Sequence, residues 1–225
     1  AGEEAKAGDT VIIGGGVYRE TLAPKNDGEP TRPVVFKAAE NEDVVISANE
    51  EINQFVDMKD GTYVAAVGWD MGDGKNQVFY KGEAISAARH PDKNTSMHTY
   101  PYELKLGELW PTFGNIRTTK ADKYKAVSDT DLSGFPKDYW KGGTFVSMHG
   151  HGWALGTAKI ESSDEGSITL DAENVSKTWW PDSNEYDTDY GYITGTKNAI
   201  SVPGEWHIEN NRLYIMPPEG ENTQT

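Results

Sequence analysis

The stretch Ala7-Gly8-Asp9-Thr10-Val11-Ile12-Ile13-Gly14-Gly15-Gly16-Val17-Tyr18-Arg19-Glu20 is written as a turn, a short β-branched strand, a glycine corner and a second short strand. Side chains alternate along a strand, so Val11 and Ile13 share a face, and Val17 can follow them round the corner. Glycine adopts the backbone conformations that a sharp bend needs. The pattern recurs more loosely at Pro33-Val34-Val35-Phe36-Lys37-Ala38 and at Asp43-Val44-Val45-Ile46-Ser47-Ala48, with Asn26–Thr31 as an intervening polar loop. Short strands separated by polar corners are the pattern of a β-solenoid coil. Val11, Ile13, Val17, Leu22, Val34, Phe36, Val44 and Ile46 are expected to face its interior.

These segments, over roughly residues 3–52, resemble the opening coil of the right-handed parallel β-helix proteins of the pectate-lyase-like group. Ala199–Asn222 resembles the segment that closes an inserted domain in several such proteins before coiling resumes. Val78–Pro91 is similar to a hairpin of that group that leads into an Ala-Arg-aromatic-Pro step, with His90 at the aromatic position. The resemblance implies an all-β chain: the start of a right-handed parallel β-helix plus an inserted antiparallel β-sandwich domain. The expected divisions are 1–52 as first coil or cap, 53–217 as inserted domain, and 218–225 as a return segment. Solenoid coils bury their apolar faces by stacking, and about three repeats are needed for stability. One or two are offered here, so the expectation is the N-terminal portion of a larger protein, partnered by the remaining β-helix of the same polypeptide. Many members of the group are secreted and cut polysaccharides, in a groove along later coils that the inserted domain overhangs. An extracellular location is therefore expected.

The chain has 225 residues, room for one or two domains. Its hydrophobic fraction is 36% and its mean hydropathy -0.67, with 24 glycines and 11 prolines favouring many short strands over long helices. Seven tryptophans and eleven tyrosines suffice for a core and a sugar-binding surface. A net charge of -15 opposes binding to nucleic acid or to an anionic membrane, both of which call for Lys/Arg patches. It also weighs against a strongly anionic polysaccharide, unless a local basic groove overrides the mean. With no cysteine, disulfides, thiol nucleophiles and thiolate metal sites are excluded. No apolar run reaches membrane-spanning length. Asn94-Thr95-Ser96 and Asn174-Val175-Ser176 match the N-glycosylation pattern, which matters only in a eukaryotic secretory setting.

Beyond residue 52, strands are expected around Tyr63–Val67 and Gln77–Tyr80, and a short helix at Ala121–Val127. Asp129–Gly134 imitates the first half of a calcium loop, but Trp140 stands at the twelfth position, where a glutamate is needed. Calcium is therefore a minor possibility there, and no other cofactor or metal is indicated. From Tyr139 the pattern is plainly β: Thr144–Ser147, Trp153–Ile160, Ser167–Leu170, Ala199–Val202 and Trp206–Glu209. Asn210-Asn211 suits a tight hairpin turn into Arg212–Met216, and Trp206, Leu213 and Ile215 suit a core.

No nucleophile elbow, Walker loop or zincin motif is present, and no catalytic residue is singled out among 36 acids. His149 and His151 share a strand face, without a nearby carboxylate on that strand. The strongest candidate is the loop from Trp179 and Trp180 through Tyr186, Asp187, Tyr190 and Tyr192. Aromatic faces there could stack on sugar rings while carboxylates accept hydrogen bonds from hydroxyls; Asp187 and Asp189 could alternatively hold calcium. Large aromatics on a polar loop are either buried or used. Arg89 could orient a sugar hydroxyl or carboxylate, or simply pair with a neighbouring acid. The expected function is an accessory, polysaccharide- or oligosaccharide-binding part of a secreted glycoside hydrolase, not itself catalytic. A stand-alone carbohydrate-binding or adhesive module, a structural cell-surface β-helix protein and part of a polysaccharide lyase remain open.

Overall fold

The computed structural model describes residues 2–72, 74–92, 117–119, 122–127, 131–149, 154–171 and 190–221. The chain forms two compact units, Ala1–Ile52 and Asn53–Thr225. Both are built from β-strands, and no α-helix occurs among the described residues.

In the first unit, β1 (Thr10–Ile13) pairs with β3 (Val35–Ala38), and β2 (Gly16–Tyr18) pairs with β4 (Val44–Ile46). Both pairs are parallel. Val11 lies beside Phe36 and Val17 beside Val45, so the second strand–corner–strand passage follows the first in step. The first corner closes on Gly16, whose φ of 144° excludes most side chains. Gly16 N–H donates to Asp43 O at 2.9 Å, Gly15 N–H donates to the Glu42 carboxylate, and Tyr18 OH donates back to Gly14 O at 2.9 Å. Arg32 reaches from the second passage to Ala7 O at 2.8 Å, and Arg19 reaches forward to Asn49 O at 2.9 Å.

The interior of this unit differs in part from expectation. Val11, Ile13, Val34, Phe36 and Val44 are half-buried, but Val17, Leu22 and Ile46 are exposed. The reversal at Gly16 resets the alternation, turning Tyr18 inward where Val17 was expected. Leu22 falls in a wholly exposed stretch, residues 19–33, outside any strand.

The second unit holds two larger sheets. The first strands are β5 (Val56–Asp57), β6 (Tyr63–Ala66), β7 (Val78–Tyr80), β8 (Glu83–Ala87) and β9 (Arg89–His90). Next come β10 (Arg117–Thr119), β11 (Asp122–Val127), β12 (Thr144–His149), β13 (Ala154–Asp164) and β14 (Ser167–Leu170). The last are β15 (Tyr190–Thr194), β16 (Glu205–Glu209) and β17 (Arg212–Met216). A seven-stranded antiparallel sheet runs β10-β11-β14-β13-β12-β15-β9. A six-stranded sheet runs β5-β6-β17-β16-β8-β7 and is mixed, because β8 and β16 are parallel. That parallel step departs from the purely antiparallel domain expected.

Two local expectations fail for identifiable reasons. Asp122–Val127 is strand β11, not helix, because it pairs with β14. Ala199–Val202 is not strand: Ala199 ends a short 3-10 helix, Lys197–Ala199, and the next three residues belong to no strand; Thr196 caps the helix, its hydroxyl accepting from Asn198 N–H at 3.3 Å. Asn210 and Asn211, with φ of 53° and 57°, form the two-residue turn between β16 and β17. Trp206, Leu213 and Ile215 are buried, as their alternation with polar neighbours requires.

The main core gathers Phe145, Ala158, Ile160, Ile168, Leu170 and Ile193 from neighbouring strands of the seven-stranded sheet, with Leu132, Trp140, Ala88 and Ala199. The two-residue spacing of Ala158/Ile160 and of Ile168/Leu170 places these side chains on one face. Each fully buried large apolar side chain contributes about 1.5–3 kcal/mol.

Candidate functional site

One segment belongs to both sheets of the second unit. Ser86 and Ala87, at the end of β8, pair with Glu205 and Trp206 of β16; Arg89 and His90 pair with Thr194 and Ile193 of β15. Ala88 is the single residue between, 2% exposed. Its N–H donates to Trp206 O at 2.8 Å, and its carbonyl accepts from the Thr194 hydroxyl at 2.7 Å. An alanine suits this position because a larger side chain would intrude on the core cluster that Ala88 joins.

Arg89 is thereby carried onto the edge of the seven-stranded sheet, beside β15. Its guanidinium lies over the Tyr192 ring, 5.7 Å from the centroid, a cation–π contact. Burial lowers the Arg89 pKa, while Tyr192, Glu205 and Asp92 push the other way. Burial raises the Tyr192 pKa, and the charge of Arg89 partly offsets it. His90 points into the core side: it stacks on Trp140 at 4.6 Å, meets Phe135 edge-on, and its Nε2 bonds to Asp131 O. The peptide bond from His90 to Pro91 is cis.

Glu205 lies beneath this edge, 5% exposed. Its Oε2 accepts from Ser201 N–H at 3.0 Å and Val202 N–H at 3.3 Å, and its Oε1 accepts from Arg89 N–H at 3.4 Å. Ser201 Oγ donates in turn to Asp92 Oδ1 at 2.6 Å. Burial raises the Glu205 carboxyl to about 7, helped by the negative charge of Asp92 and opposed by the three N–H donors.

The structure thus brings together two of the residues singled out in the sequence, Arg89 and Tyr192. Tyr190 begins β15 opposite Met148; Trp179, Trp180, Tyr186 and Asp187 lie outside the described residues, as do His151, Asp189, Asn94 and Asn174. No cluster of three or more His, Asp or Glu that could hold a metal occurs among the described residues. Glu205 was missed because acids alternating with apolar residues, as in Glu205-Trp206-His207-Ile208-Glu209, read as the wet face of a strand. Here both faces of β16 are covered, and His207 is only 9% exposed. The contact that marks Glu205, its carboxylate accepting from the N–H groups of Ser201 and Val202, depends on the fold of the preceding loop and has no signature in the sequence.

An all-β chain with two parallel strand pairs in one unit and two larger sheets in the other is the class that the fold defines. Among solved structures, the fold matches a chain titled "Glycoside hydrolase", with TM-score 0.62 and 18% sequence identity, over 96% of this chain and 37% of that one. Among curated proteins, "Uncharacterized protein YwoF" of Bacillus subtilis (strain 168) is 47% identical over 53 residues, 24% of this chain and 11% of that protein. The chain therefore spans about a tenth of the curated relative and little more than a third of the structural one. No family model matches.

Proposed function

We propose that this chain is an accessory, carbohydrate-binding portion of a larger, secreted polysaccharide-active β-helix enzyme of the glycoside hydrolase kind. The observation that carries the reading is the pair of parallel ladders, β1–β3 and β2–β4, running in step around one corner. That is how successive solenoid coils stack. Among the described residues β3 and β4 pair on one side only, so their outer edges suit a further coil of the same polypeptide. The shared fold with a much longer chain titled as a glycoside hydrolase supports the same reading. In it, the second unit is the domain inserted between coils. The sugar-binding residues are Arg89 of β9 and Tyr192, which stands on strand β15 and not on the expected loop, with Tyr190 at the start of β15 and Trp179, Trp180, Tyr186 and Asp187 preceding it in the sequence.

The test is affinity electrophoresis of the 225-residue chain through gels containing soluble xylan, mannan or polygalacturonate. Retardation is expected in at least one gel, with no hydrolysis of the polymer. Trp179→Ala, Trp180→Ala, Tyr192→Ala and Arg89→Lys should each weaken it up to about tenfold, with circular dichroism confirming that each variant remains folded. Migration unaffected by all three polymers would end the carbohydrate reading.

A further inference from the structure

We propose that Glu205 is the positioning residue for Arg89, and that gain or loss of its proton resets Arg89 against the Tyr192 ring. Three observations converge on it. First, Glu205 grips two separate segments at once: its two oxygens take N–H groups from Ser201 and Val202 on one side and from Arg89 on the other. Second, the gripped residue is the one on which the chain has just passed from β8 and the six-stranded sheet to β9 and the seven-stranded sheet. With Ala88 as the only spacer, a change in the pull on Arg89 N–H falls on a segment with no slack. Third, Asp92 is tied to the same loop through Ser201 Oγ, so Arg89 is flanked by two acids that share one loop.

Among the described residues, the charged or titratable groups near Glu205 are Arg89, Asp92, Tyr192 and, two residues along the same strand face, His207. Arg89 and Asp92 come from β9 and the turn after it, and Tyr192 of β15 acts through Arg89. Its ladder neighbours, Ser86 of β8 and Met216 of β17, do not titrate near neutrality. As a carboxylate, Glu205 is acceptor-only and serves all three donors. As a neutral acid, one oxygen carries a proton that needs an acceptor of its own, so the grip on Arg89 weakens. Burial places the change from one form to the other at about 7. Above it Arg89 is held over Tyr192; below it Arg89 is released toward Asp92.

The consequence for sugar binding rests on the reading of Arg89 and Tyr192 as glycan contacts; the latch itself does not. Two measurements separate the two. In the protein without ligand, the Glu205 carboxyl carbon and the amides of Arg89, Ser201 and Val202 are followed by NMR as pH changes. One shared midpoint near 7 is expected, absent from the three amides in Glu205→Gln. A Glu205 midpoint at the ordinary 4.5, or amides that titrate apart from it, overturns the proposal, and this holds on the wild-type chain even if the variant fails to fold. In the xylan, mannan and polygalacturonate gels, any retardation should fall about fivefold between pH 8 and pH 6, and Glu205→Gln should flatten that profile. A pH-independent retardation that vanishes equally in Glu205→Gln and Arg89→Lys would mark a purely structural role and overturn it. A shared NMR midpoint without retardation in any gel upholds the latch and removes the glycan reading instead.

Discussion

Glu205 carries an ionisable group where apolar packing would be expected, and the consequence for stability has a definite sign. Its folded pKa of about 7 lies above its ordinary 4.5, so between those values the folded chain holds a proton that the unfolded chain has released. The contribution of Glu205 to stability is therefore fully present below about 4.5 and is lost as pH rises through this window, by about 3 kcal/mol in all. Guanidinium unfolding at pH 5 and pH 8 should show the midpoint dropping in the wild type and dropping less in Glu205→Gln; equal drops would count against burial of the ionised form. Gly191 makes a different demand at the same scale. A Cβ there would fall against the Phe145 ring and 2.6 Å from Val146 O. Phe145 is fully buried and the carbonyl belongs to the β12–β15 ladder, so neither can move aside. Gly191→Ala should cost about 1–3 kcal/mol, read as a lowered melting temperature, and a variant as stable as the wild type would show that the strands separate more easily than their packing implies.

At the scale of elements, the β16–β17 hairpin was legible because its signals are local: two asparagines between alternating runs, both able to take the left-handed conformation that a two-residue turn demands. Asn211→Val should destabilise the hairpin by about 1–2 kcal/mol, while Asn211→Gly should leave it unchanged or firmer; chemical denaturation of the two variants side by side checks this. β1 and β3 were legible for the same reason, each a β-branched run bounded by turn residues. What could not be read is pairing at a distance. Asp122–Val127 carries helix-tolerant Lys and Ala residues, and pairing with β10 on one side and β14 on the other makes it a strand. The β8–β16 contact joins residues 86 and 205, and nothing near either announces a parallel partner. The candidate site suffered likewise: Arg89 and Tyr192 were each picked out by residue type, but their meeting depends on β9 pairing with β15, and Glu205 on the covering of a face that alternation marks as wet.

For the whole molecule, the two units differ in what holds them. The second contains an aromatic and aliphatic cluster with Trp140, Phe145, Ile168 and Ile193 at or below 2% exposure. Among the described residues of the first, Ala5 alone is buried, at 6%, and Ile12, Val17, Val45 and Ile46 are about half exposed. Its hydrogen bonds run mostly between exposed groups, and its ion pairs, Lys25–Glu3, Arg19–Glu51 and Arg32–Glu29, are solvent-facing, where such pairs add little. Two parallel pairs of three or four residues cannot repay the entropy of ordering some fifty residues without a buried face. Residues 53–225 expressed alone should therefore unfold in one cooperative transition by circular dichroism, whereas residues 1–52 alone should show none and exchange their amides freely. Fusing further coils of a parallel solenoid after residue 52 should restore protection to β3 and β4 first, since theirs are the edges such coils would cover. Cooperative melting of the isolated 1–52 fragment would show instead that its short ladders suffice, and would remove the physical reason for expecting a stacked continuation.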